Sequence, residues 1–122
     1  MKLSEAIAEL NAYKNLEDNW DGYGAPPIPE EIITKAIGLL LYIYSVFPDL
    51  EGLSVAPTPD ESITLEWYIG KNCKEMNIEV YAKNKANVIL SFPINTEVSE
   101  PRDKNNLSDL NALIETYLHT SN

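Results

Sequence analysis

A chain of 122 residues is long enough for one hydrophobic core and too short for two, so a single domain over residues 1–122 is expected. Apolar residues make up 44% and charged residues 23%, near globular averages, which excludes wholesale disorder. Nineteen acidic against nine basic residues give a formal charge of −10, a balance that repels nucleic acid and anionic membrane and attracts basic protein surfaces.

The charge is unevenly spread. Met1–Glu66 holds 12 acids and 3 bases, and the remainder 7 and 6, so the negative field belongs to the N-terminal half. Cys73 is the one cysteine and His119 the one histidine, so no internal disulfide, zinc site or histidine-dependent triad is expected, and no cofactor or metal is implied. The opening "MKLSEAIAEL" lacks the apolar core of a secretory signal. The most apolar run, Ile37–Phe47, has 11 residues against the roughly 20 that a membrane span requires, which predicts a cytoplasmic protein.

In chain order, Ser4 is positioned to cap a first helix. Leu3, Ala6, Ile7, Leu10 and Tyr13 stand at helical spacing, and Glu5 lies in its favourable first turn. The loop "NWDGYGAPPIP", Asn19–Pro29, follows. Asn19 and Asp21 suit side-chain-closed turns, Gly22 and Gly24 suit positive φ, and Pro26 and Pro27 stiffen the approach to the next helix. Trp20 and Tyr23 are expected to tether this loop to the body, with a ligand-lining role as the alternative.

Pro29 suits the first position of the second helix, Glu30 and Glu31 favour its positive end, and Pro48 stops it after Phe47. Its apolar residues cover most of its circumference, so a homodimer through Leu41, Tyr44 and Phe47 is expected to cover what one sheet face cannot. After "PDLEG" the apolar period falls from 3.6 to 2. Leu53–Pro57, Ile63–Ile69, Met76–Ala82 and Val88–Phe92 then read as four strands of an antiparallel meander. "SEPRDKNN" reads as a polar linker and Leu107–Leu118 as a closing amphipathic helix. The fold class is therefore α+β, order ααββββα, with helices on one face of the sheet.

The loop "NWDGYGAPPIP" opening a helix, followed by "PTPDESITLEW" on a hairpin, resembles a family of small, mostly uncharacterised bacterial proteins with an NWDGYGA loop, a PTPDG-type turn and an LEW strand. The resemblance covers roughly the first 80 residues and implies a bacterial, mobile-element setting without assigning an activity. Glu61 departs from it, standing where the family pattern has glycine. If both motifs belong to one fold, Trp20 and Trp67 should lie near each other.

A hairpin turning about Asn72 and Cys73 would pair Leu65 with Val80, Trp67 with Ile78 and Glu66 with Glu79. A two-residue slip would keep the apolar face and place Asn77 opposite Glu66 instead. Opposed glutamates invite a basic partner, a cation or a shared proton. With Asp21 they could also serve a small hydrolase, although two carboxylates fall short of a metal site. Tyr68 and Tyr81 share that outward face, as tyrosines at recognition surfaces do. The residues Trp20, Asp21, Tyr23, Glu66, Tyr68, Glu79 and Tyr81 are thus the candidate binding set. The leading expectation is a non-catalytic acidic interaction protein, antitoxin-like, immunity-like or regulatory, that meets a basic surface on its partner. The alternatives are an anti-nuclease or anti-restriction nucleic-acid mimic and the carboxylate-dependent hydrolase.

Overall fold

The computed structural model describes residues 1–69, 74–80, 86–91, 97–100 and 115. Helix α1 (Leu3–Ala12) runs into a single 3-10 turn, Tyr13–Asn15, and the loop leads to helix α2 (Glu30–Val46). Strands β1 (Leu53–Thr58), β2 (Ser62–Ile69), β3 (Lys74–Val80), β4 (Ala86–Ser91) and β5 (Glu97–Glu100) form one antiparallel meander in sequential order. The fold is α+β, with α1 packed on β1, and α2 on β2 and β3.

The meander departs from expectation at its end. Glu97–Glu100, whose second half reads as polar linker in the sequence, pairs with β4 as a fifth strand. A segment with one apolar residue, Val98, shows no period-2 signal, and a short, charged edge strand needs none. Glu115 is helical; the rest of the closing helix expected over Leu107–Leu118, like Tyr81, Ala82 and Phe92, lies outside the described residues.

Helix α1 begins two residues earlier than a Ser4 cap would place it. Lys2 occupies the cap position, and its backbone N–H donates to Glu5 Oε1 at 2.8 Å, half of a capping box. Pro29, at φ −58°, is likewise the residue before α2 rather than its first. Phe47 leaves helical geometry at φ −126° while its N–H still reaches the Ile43 carbonyl, and Pro48 prevents continuation.

The core lies between the helices and one face of the sheet. Ala6 and Leu10 of α1, Ile32, Ile33, Ala36, Leu40 and Ile43 of α2, and the alternating strand residues Leu53, Val55, Ile63, Leu65, Trp67, Met76, Ile78 and Val80 are buried together. The outer edge of β1 is closed by α1. The Met1 ammonium donates to the Leu53 carbonyl at 2.7 Å, the Tyr13 hydroxyl lies 3.3 Å from the Val55 carbonyl, and Pro57 has no N–H to offer. Burial, with help from its bond to Glu9, pushes the Tyr13 phenol well above its ordinary value, so it stays a donor.

The β1–β2 turn, Pro59–Asp60–Glu61, carries strain. Glu61 sits at φ 59°, in the left-handed region that favours glycine. Left-handed backbone costs a side-chain-bearing residue about 1–2 kcal/mol, part of which glycine returns as unfolded-state entropy. Glu61→Gly is therefore expected to raise stability by about 0.5 kcal/mol. A urea midpoint that falls would contradict the turn geometry.

Candidate functional site

The loop ahead of α2 is a closed unit. Asn19, at φ 64°, donates its N–H to the Ala25 carbonyl at 2.8 Å and accepts from Gly24 N–H on Oδ1 at 2.7 Å. Asp21 Oδ1 accepts from the N–H groups of Tyr23 at 2.9 Å and Ala25 at 3.0 Å, and Gly22 and Gly24 take φ of 80° and 86°. The Tyr23 N–H bond is the main cause holding the Asp21 carboxyl below the usual aspartate range. Asp21 therefore serves the loop's own backbone.

The two aromatic residues of this loop part company. Trp20 is half-buried, packs against the core and donates Nε1–H to the Pro26 carbonyl at 2.8 Å, tethering the loop. Tyr23 is 93% exposed and tethers nothing, because Asp21 fixes its backbone with the side chain turned to solvent. Trp67 is fully buried in the same apolar cluster whose margin Trp20 covers. Its indole N–H donates to the Tyr44 hydroxyl at 2.9 Å, and that hydroxyl donates to the Leu50 carbonyl at 3.2 Å.

Of the three residues expected at a dimer contact, only Leu41, at 50%, is exposed. Phe47 is buried under the end of α2, and Tyr44 is partly buried with its hydroxyl bonded on both sides. The helix fills the sheet face more completely than its sequence suggested, because the segment after it, through Leu50, folds back over Phe47 and Tyr44.

The face of the sheet opposite these helices presents a polar surface whose register is the slipped one. Glu66 stands opposite Asn77, and Glu79 opposite Thr64, so Glu66 and Glu79 are not paired. Leu65 faces Ile78, Trp67 faces Met76, and Ile63 gains Val80 as its partner. This register keeps the apolar face continuous and replaces a head-on glutamate pair with partners that can donate. Glu79 instead accepts from Ser62 Oγ at 2.9 Å, and Ser62, fully buried, shares a 2.5 Å hydrogen bond with Thr58.

A different carboxyl pair forms. Glu75 lies diagonally across from Glu66 on the neighbouring strand, which brings the two carboxyls onto one face. Burial first, then the nearby Glu75 carboxyl, raise Glu66 above the usual glutamate range, while Ser54 on β1 partly offsets them. Asn77 donates Nδ2–H to Glu75 Oε1 at 2.8 Å, leaving its buried Oδ1 without a partner. Tyr68, directly opposite Glu75, is 47% exposed. Glu75 and Asn77 were absent from the sequence-derived set. Their strand parity placed them on this face, but only the register brings Glu75 to Glu66.

The pair makes stability pH-dependent in a definite direction. A carboxyl whose folded pKa exceeds its unfolded value stabilises the fold while protonated, and that contribution is lost as pH rises from the ordinary glutamate range through the folded value. Glu66→Gln removes the loss. The variant is expected to be more stable than the native chain at pH 7 by about 0.5 kcal/mol, the scale of an exposed charge pair, and equal to it near pH 3. Urea midpoints at the two pH values check this, and a native advantage at pH 7 would contradict it.

Among the described residues no group of three or more His, Cys, Asp or Glu side chains could hold a metal ion, and no helix is long and apolar enough to cross a membrane. Tyr81 lies outside the described residues, so the site consists of Glu66, Tyr68, Glu75, Asn77 and Glu79 on adjacent strands. No protein-family model, curated protein or solved structure matches the chain.

Proposed function

We propose that this chain is a non-catalytic, acidic interaction protein, antitoxin-like, immunity-like or regulatory, whose sheet face opposite α1 and α2 docks against a basic protein surface. The observation that carries this reading is the composition of that face. Its described charged side chains, Glu66, Glu75 and Glu79, are all acids, and Glu66 and Glu75 stand on one diagonal of adjacent strands. Like charges held together repel one another in the free chain, and a cation that covers them relieves the repulsion, which favours the complex. The formal charge of −10 adds long-range attraction of the same sign. The resemblance of the loop and hairpin motifs to small bacterial proteins fits a bacterial interaction partner of this kind.

The test compares the native chain with the triple variant Glu66→Gln, Glu75→Gln, Glu79→Gln in affinity capture from a bacterial lysate at low and high salt, with identification of the retained proteins. The expected result is a basic protein held by the native chain at low salt, released at high salt and not retained by the variant. Equal retention by both chains, or retention indifferent to salt, would overturn the reading. A carboxylate-dependent hydrolase through Asp21, Glu66 and Glu79 has less support, since Asp21 and Glu79 are bonded within the fold and Glu66 faces Asn77.

A further inference from the structure

We propose that the docking face selects arginine over lysine, seating a guanidinium between Glu66 and Glu75 with its plane against the Tyr68 ring. The inference rests on the docking reading above and names the chemistry at its centre. Glu66 and Tyr68 are neighbours on one face of β2, and Asn77 and Glu75 are their direct partners on β3, so the four side chains form a block of two by two. The carboxyls occupy one diagonal, and the tyrosine and asparagine the other.

Such a block is about 5 Å across the strands and about 7 Å along them. A guanidinium fits it: planar, with five N–H donors in a fixed fork, able to meet two carboxylates at once and to stack on an aromatic face. An ammonium offers three donors around a compact, strongly hydrated charge and gains less from a ring.

The acceptors at this place exceed the donors. Asn77 commits Nδ2–H to Glu75 and its Oδ1 is buried, so the acceptors open to a partner are the carboxylate oxygens of Glu66 and Glu75. The described side chains Ser54, Thr64, Glu66, Tyr68, Glu75, Asn77 and Glu79 include no base. Nothing among them neutralises the carboxyl pair, and a donor-rich planar cation complements it in both charge and hydrogen bonding. Tyr68 remains 47% exposed beside the pair, so the ring is open to stacking before any partner arrives.

Two acetylated peptides, Arg-Gly-Arg-Gly-Arg and its lysine counterpart, carry equal charge and are titrated against the native chain, Tyr68→Ala and Glu75→Gln. Amide NMR shifts give the location and affinity, and urea midpoints verify that the variants are folded. The native chain is expected to bind the arginine peptide about fivefold more tightly, the scale of one exposed cation–π contact, with shifts centred on Glu66, Tyr68, Glu75 and Asn77. Tyr68→Ala, which leaves the net charge unchanged, should abolish the preference while retaining lysine-peptide binding; Glu75→Gln should weaken both. Equal affinity for the two peptides at this face would overturn the arginine inference and leave the docking reading standing. Binding of neither peptide, or shifts elsewhere, would overturn both.

Discussion

Replacing Trp67 by alanine is expected to destabilise the fold by about 4 kcal/mol, the largest effect of any single side chain described above. The indole is fully buried at the centre of β2, between Leu53 of β1 and Met76 of β3 in register, and it meets the Tyr44 ring of α2 at a centroid distance of 6.5 Å. It joins the sheet to the helix layer through packing and through the bond from its N–H to the Tyr44 hydroxyl. Truncation removes the apolar contacts and leaves a cavity that neighbours on a hydrogen-bonded sheet can close only in part. Total stability for a domain of this size is roughly 5–15 kcal/mol, so the variant should show a strongly lowered urea midpoint or fail to fold. A midpoint within the error of the native chain would show that Trp67 is not the joint between the layers.

Gly52→Ala is expected to cost about 3 kcal/mol, for a reason unrelated to burial. Gly52 lies on the surface just before β1 at φ 84°, where a side chain is strained, and a Cβ built there would stand 2.1 Å from the Tyr68 carbonyl oxygen. The obstacle is backbone, so no rotamer change relieves it. The same approach lets the Tyr68 N–H donate to the Gly52 carbonyl at 3.1 Å, extending the β1–β2 ladder by one pair beyond Leu53. Alanine must push this end of β1 away from β2 or abandon that pair. Thermal unfolding of the variant measures the cost, and an unchanged midpoint would mean that the strand ends separate freely. The effect also reaches the candidate site, because Tyr68 pairs with Glu75 there.

Much of the architecture was legible from local physics. The change of apolar period after "PDLEG" located the passage from helix to sheet, prolines bracketed α2, and Asn19, Asp21, Gly22 and Gly24 prescribed the loop that forms. These features depend on each residue's own backbone preferences and on neighbours a few positions away, which a linear pattern records. The sequence also located the negative field and the tyrosine-bearing polar face of the sheet.

What the tertiary structure decided is which side chains on that face meet. Two registers of β2 against β3 bury the same apolar residues, and sequence alone could not separate them. The observed one sets Asn77 opposite Glu66 and brings up Glu75, exchanging one candidate pair for another. Likewise, Trp20 and Tyr23 are equally aromatic in a linear reading, yet one packs on the core and the other stands in solvent, because the Asp21-closed turn orients them apart. Phe47 is buried for a similar reason: the return of the chain through Leu50 covers it. Periodicity assigns a residue to a face, while pairing between strands and packing between layers choose its neighbours, and the chemistry of this surface rests on the neighbours.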